Sequence, residues 1–104
     1  MNSRLIDRVG VQDTPFFYYN LKLLQENVNA LKAASEPHGF HVHYAIKANA
    51  NSRVLELISE SGLGADCVSG NEIKASIESG FTPDKAVFAG VGKSDKEINY
   101  ALEK

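Results

Sequence analysis

Short apolar segments and amphipathic segments take turns along this chain at roughly 20-residue spacing, with glycine or proline between them. Pro15 opens the apolar stretch Phe16–Tyr19, which reads as a first strand after an irregular lead-in over residues 1–14. Asn20 can cap a helix through about Glu36, with Leu21, Leu24, Val28 and Leu31 at helical spacing, and Pro37-His38-Gly39 stops it. His41–Ile46 alternates as a strand. Asn51 or Ser52 can then cap a helix carrying Val54, Leu55 and Ile58, with Gly62 just past its end. Gly64–Ser69 reads as a strand, Asn71–Ser79 as a helix with Ile73 and Ile77 on one face, and Lys85–Ala89 as a strand. Ser94-Asp95-Lys96-Glu97 has the form of a capping box and opens a last helix that has barely begun at Lys104.

Strand and helix in alternation imply right-handed βαβ units on a parallel sheet. An open doubly wound sheet and a (β/α)8 barrel both satisfy the pattern. A barrel takes about 250 residues, so the 104 residues here supply its first three or four βα units. Two exposed parallel edges would then need covering, which points to a fragment or to a chain that self-associates.

The totals narrow the function classes. The chain is 43% hydrophobic and 23% charged with a formal net charge of −2, enough apolar material for a core and no basic excess for nucleic acid or a polybasic membrane anchor. No run of about 18 apolar residues suggests a membrane span. The N-terminal stretch is charged throughout and lacks the apolar region of a secretory signal. A single cysteine, Cys67, cannot form an internal disulfide, which favours a reducing, cytoplasmic setting.

One charge stands out. In "HVHYAIKANANSRVLELI" (41–58), Lys47 falls where a buried strand would end. Strand parity puts His41, His43, Ala45 and Lys47 on one face, with Val42, Tyr44 and Ile46 on the other. In α/β folds, ligands bind at the C-terminal ends of parallel strands. A lysine there can serve as a nucleophile when partial burial favours its neutral form; the alternative is a loop lysine that reaches to solvent. Asp66 occupies the matching place on the next strand, sharing its face with Gly64 and Val68, and can pair with a cationic lysine or a cofactor. Glu72 follows at the start of the next helix, where an acid is also favoured by the helix dipole. Ser69 and Asn71 read equally well as caps of that helix.

Four stretches carry a resemblance: "TPFFYYN" (14–20), "HYAIKANAN" (43–51), "GLGADCVSGNEIKASIESGF" (62–81) and "VFAGVGKSDKEI" (87–98). Their order and spacing resemble the N-terminal part of the pyridoxal-phosphate-dependent decarboxylases built on the alanine-racemase-type barrel. The resemblance covers nearly the whole chain from about residue 14 and implies the N-terminal portion of a (β/α)8 TIM-type barrel. Tyr-Ala-x-Lys-Ala-Asn is shared across that superfamily, Gly-Ala-Asp-x-Val-Ser-Gly-x-Glu narrows it to the decarboxylases, and Phe-x-Gly-Val-Gly-Lys-Ser leans to the branch acting on meso-diaminopimelate, in lysine biosynthesis.

The resemblance implies that Lys47 is the catalytic attachment lysine for pyridoxal 5′-phosphate. It places Asp66 and Glu72 beside lysine and cofactor, Tyr44 and Ala45 at the strand end, and Ser69 and Gly70 along the rim. It implies an amino-acid substrate and a homodimer for the full-length protein. In the family, the glycine-rich phosphate loop, the acid at the pyridine nitrogen, the histidine stacked on the ring and a C-terminal β domain all follow later in the chain. Residues 1–104 are therefore expected to be a partial barrel domain, incompetent for catalysis alone. Cys67 is not the family's interfacial cysteine; it reads as a small buried hydrophobe opposite Asp66.

Other readings weigh less. "AGVGKS" (89–94) resembles a phosphate loop, but the Walker spacing requires glycine at position 87, which is Val87; Gly90 and Gly92 instead allow a tight turn. His41 and His43 share a strand face without a nearby acid or cysteine to complete a metal site. Tyr18 and Tyr19 beside Phe16 and Phe17 read as core and rim of the first strand. Functional alternatives are an ornithine- or arginine-type decarboxylase, an alanine-racemase-like enzyme, and a non-catalytic truncated protein.

Overall fold

The computed structural model describes residues 15–104 together with Gly10 and Asp13. Helix α1 (Leu21–Ser35) starts where Asn20 Oδ1 accepts the N–H of Leu23 at 3.1 Å, satisfying one of the four donors that a helix start leaves free. It ends in a 3-10 turn over Glu36–His38, and Gly39 adopts the left-handed backbone (φ 72°) that turns the chain back toward the sheet. Strand β1 (His43–Ala45) is followed by helix α2 (Ser52–Glu60), strand β2 (Gly64–Cys67) by helix α3 (Gly70–Glu78), and strand β3 (Ala86–Phe88) by helix α4 (Asp95–Glu103).

The three strands form one parallel sheet in the order β1-β2-β3. Its register aligns Tyr44 with Ala65 and Ala86, and Ala45 with Asp66 and Val87. Side chains alternate across a strand, so the first row faces one way and the second the other. Tyr44, Ala65, Cys67 and Phe88 belong to the helix-covered face and join a core with Val54, Leu55, Ile58 and Ile73. Ile46, Leu55 and Ile58 are almost completely buried, each contributing about 2 kcal/mol by removing apolar surface from water. The opposite face carries His43, Ala45, Gly64, Asp66 and Val87, and His43 and Val87 are exposed. A sheet helix-covered on one side and bare on the other is the wall of a barrel rather than a doubly wound layer.

Gly64 is fixed by close approach. A Cβ there would come within 2.5 Å of both the His43 ring and the Lys85 carbonyl oxygen. Neighbouring strands can hold this register only without a side chain at that point.

The element boundaries differ from expectation in instructive places. Phe16–Tyr19 forms no strand among the described residues, and Phe17 is 88% exposed; β propensity cannot make a strand without a partner edge. Leu21 and Leu31 are exposed while Leu24 and Val28 join the core, because α1 packs against α2 rather than into a wider groove. Strand β1 stops at Ala45, and Ile46–Ala48 winds into a 3-10 turn. Ile46 is nonetheless buried in the core with Tyr44, on the face that strand parity gives it, and Lys47 in the turn is exposed. The last helix runs through Glu103 rather than only beginning. The expected lead-in over residues 1–14 lies outside the described residues, apart from Gly10 and Asp13.

Candidate functional site

The C-terminal ends of β1 and β2 bring the expected residues to one edge of the sheet. Lys47 sits in the Ile46–Ala48 turn, which lies against β2 and α3. Ile46, fully buried before it, anchors the turn in the core. Beyond it the Tyr44 hydroxyl donates to the Asn49 carbonyl at 3.0 Å, and the Asn51 N–H donates to Asn49 Oδ1 at 2.9 Å. Asn51 Oδ1 in turn accepts the N–H of Arg53 at 3.0 Å and caps α2. Burial pushes the Tyr44 hydroxyl above its ordinary pKa of 10.0, partly offset by the bond to Asn49, so it stays a proton donor through the physiological range.

Asp66 stands next to Ala45 in the β1–β2 register, not next to Lys47. Its Oδ1 is buried and has no hydrogen-bond partner among the described residues. Leaving a buried carboxylate oxygen unpaired costs about 1–3 kcal/mol or more. Such an oxygen is a ready acceptor for an N–H group.

Loop and helix chemistry fixes the rim after β2. Ser69 Oγ accepts the Glu72 N–H at 3.2 Å and is the cap of α3, so the choice between Ser69 and Asn71 falls to Ser69. The Glu72 carboxylate accepts the Val68 N–H at 3.4 Å, turned back onto its own loop. The Gly70 N–H donates to Glu97 Oε2 at 2.8 Å. Glu97 also completes the capping box of α4 through Ser94. Hydrogen bonds from Gly70 and then Ser94 hold the Glu97 carboxyl below its ordinary pKa of 4.5. On the opposite face of β2, Cys67 is fully buried with Sγ 3.8 Å from Ser76 Oγ, and burial pushes its thiol above 9.0.

Two residues carry more than the sequence suggested. Asn49 secures the lysine turn at both its backbone and its side chain; the signal for it was the Asn-Ala-Asn spacing, which favours turns in which an Asn side chain bonds the backbone two residues on. Glu97 reached the rim through a contact 27 residues away in sequence, which no local pattern encodes. Lys93, in the glycine-rich stretch, donates to the Gly90 carbonyl at 3.1 Å and lies over the Phe88 ring, engaged with its own loop. The His43 ring packs over Gly64, with Nδ1 3.3 Å from the His41 carbonyl. A cleft of about 850 Å³ opens at the other end of the strands, lined by Lys32, Phe40, His41, His43 and Lys85 among others, and neither Lys47, Asp66 nor Glu72 borders it.

Fold and site thus define a sector of a parallel (β/α) barrel with an exposed lysine and an acid whose buried Oδ1 has no partner among the described residues, both at the C-terminal strand ends, where such barrels bind small molecules. The family described as pyridoxal-dependent decarboxylase, pyridoxal binding domain, matches residues 21–104. A diaminopimelate decarboxylase of Bacteroides thetaiotaomicron is 53% identical over 100 residues, covering 94% of this chain and 26% of its own length. That of Campylobacter jejuni is 37% identical over 91 residues, covering 88% and 23%. The structure of diaminopimelate decarboxylase from Helicobacter pylori complexed with L-lysine superposes with a TM-score of 0.88 at 35% identity, covering 95% of this chain and 25% of that one. A lysine/ornithine decarboxylase from Vibrio vulnificus shares the fold with a TM-score of 0.84 at 23% identity, over 96% of this chain and 27% of that one.

The chain belongs to the pyridoxal-dependent decarboxylases, in their pyridoxal-binding domain, and has the fold of the N-terminal portion of their TIM-type barrel. It spans about a quarter of the length of the curated relatives it matches. Pyridoxal phosphate is the cofactor of this family, and the residues present fit it: a primary amine open to attachment and a buried acid oxygen in want of a donor stand at the same sheet edge. No helix among the described residues is long and apolar enough to cross a membrane.

Proposed function

We propose that this chain supplies the lysine-bearing part of a pyridoxal-phosphate-dependent decarboxylase that converts meso-diaminopimelate to lysine. The observation that carries the reading is the buried Asp66 Oδ1, without a hydrogen-bond partner among the described residues, at the sheet edge where Lys47 is exposed. Bound pyridoxal phosphate supplies the electron sink that makes loss of CO2 from an amino acid's α-carbon accessible.

The chain's own residues bind and orient. Lys47 Nζ is the attachment amine. Asp66 Oδ1 would be the acceptor for a donor of the bound cofactor, and a hydrogen bond to a charged acceptor is strong. Tyr44 and Ala45 shape the strand end, Tyr44 by holding the turn and Ala45 as the register neighbour of Asp66. Ser69 and Gly70 line the rim, and Glu72 keeps the loop after β2 closed on itself.

The choice of meso-diaminopimelate is supported by the 53% identity to the Bacteroides relative. A homodimeric parent is supported by the exposed aromatics Phe17, Tyr18 and Tyr19, which call for a covering surface. A cytoplasmic setting is supported by Cys67, a free buried thiol. The test is CO2 release from meso-diaminopimelate, ornithine and arginine by the full-length enzyme carrying this segment. Turnover of meso-diaminopimelate alone, lost in Lys47→Ala, supports the reading; preference for ornithine or arginine overturns the substrate, and activity retained in Lys47→Ala overturns the lysine.

A further inference from the structure

We infer that Tyr44 and Asn49 form a clasp that positions Lys47, acting as one unit rather than as two independent structural bonds; its functional side rests on Lys47 being the attachment lysine. The turn bearing Lys47 is only a 3-10 turn over Ile46–Ala48, and one such turn has little stability of its own. On one side it is pinned by Ile46, with no exposed surface at all. On the other, Ala48 and Ala50 are both exposed.

What closes that second side is polar. The Tyr44 hydroxyl crosses the turn from the last part of β1 and donates to the Asn49 carbonyl at 3.0 Å. The Asn49 side chain bonds the Asn51 N–H at 2.9 Å, and Asn51 caps α2. Strand β1, the lysine turn and the start of α2 are thereby tied through one residue, Asn49. Without the Tyr44 hydroxyl, the turn would lose its direct tie from β1 to Asn49, and Lys47 would sweep a wider arc. Holding a reactive group near its productive geometry is worth far more to rate than to stability. Tyr44 and Asn49 are therefore positioning residues, acting on the lysine from within its own loop.

Two measurements on the 104-residue chain separate this inference from the attachment reading. The first is hydrogen exchange at the Asn51 amide, followed by NMR in wild type and Tyr44→Phe. The clasp predicts that removing the hydroxyl speeds exchange at Asn51 by about fivefold or more, the effect of one hydrogen bond. Unchanged exchange overturns the coupling. The second is the share of borohydride-trapped pyridoxal phosphate found on Lys47 relative to the exposed Lys74 and Lys96 of the same molecule. That share should fall several-fold in Tyr44→Phe and Asn49→Ala, and be kept in Asn49→Asp, which retains the Oδ acceptor. Ser76→Ala, which removes a buried hydroxyl elsewhere in the core, should leave the share unchanged. An equal fall in Ser76→Ala would mean that general loosening explains it and would overturn the positioning role. If the wild-type chain shows no excess on Lys47, the attachment reading fails, while the exchange experiment still decides the clasp.

Discussion

Glu97 Oε2 accepts the backbone N–H of Gly70 at 2.8 Å, so the side chain that caps α4 also closes the start of α3. Its other oxygen is 3.4 Å from the Ser94 nitrogen and 3.2 Å from the Ser94 hydroxyl. One carboxylate thus ties the loop after β2 to the loop after β3, both on the rim that carries the candidate site. A negative group is favoured at each helix start by the dipole as well as by the hydrogen bonds.

This contact makes stability depend on pH. The Glu97 carboxyl is held below 4.5 in the folded chain by the Gly70 and Ser94 hydrogen bonds. A depressed carboxyl stabilises the fold above its unfolded pKa, and the contribution is lost as pH falls through the folded value. The loss of melting temperature between about pH 5 and pH 3 should therefore be smaller in Glu97→Gln than in wild type. Equal acid sensitivity, measured by thermal unfolding followed by circular dichroism, contradicts a role for this carboxylate.

Gly64→Ala should destabilise by about 3 kcal/mol. The added methyl meets the Lys85 carbonyl and the His43 ring at 2.5 Å, and the backbone oxygen cannot rotate away. A shift in the urea midpoint at constant slope would report it. His43→Ala in the same background should recover part of the loss, because it frees one of the two obstructions.

Asp66→Ala should leave the melting temperature at or above wild type. It removes a buried oxygen that has no partner among the described residues, a cost carried for function rather than for folding. The same change should weaken the preference of pyridoxal phosphate for Lys47. A clear loss of stability would mean that Asp66 is a structural residue.

Cys67 should react with a disulfide reagent at pH 8 at least ~100-fold more slowly in the folded chain than in urea. Its side chain is inaccessible, and burial raises its thiol above 9.0, so little thiolate forms. Rapid modification of the native chain would contradict the packing of β2 against α3.

Much of this was legible beforehand because it is local. Asn20, Ser69 and Ser94 each cap the helix that follows, and the alternation of strand and helix led to the parallel sheet. The errors fell where tertiary context decides. Phe16–Tyr19 has the composition of a strand, and its partner edge is not something composition reports. The strand expected over His41–Ile46 is shorter, His43–Ala45, because Ile46 already enters the 3-10 turn while keeping its core-facing side, and alternation in sequence does not separate the two. The order of strands and helices already put Lys47, Asp66 and Glu72 at or just after the C-terminal ends of β1 and β2, but the Glu97–Gly70 bond joins residues from two different βα units.

The most direct test of the account is the site of attachment. The chain would be titrated with pyridoxal phosphate, reduced with borohydride, digested and mapped by mass spectrometry. The account predicts a selective adduct on Lys47 that disappears in Lys47→Ala and is weakened in Asp66→Ala. Adducts spread evenly over Lys47, Lys74 and Lys96, or selective at a lysine other than Lys47, would contradict it.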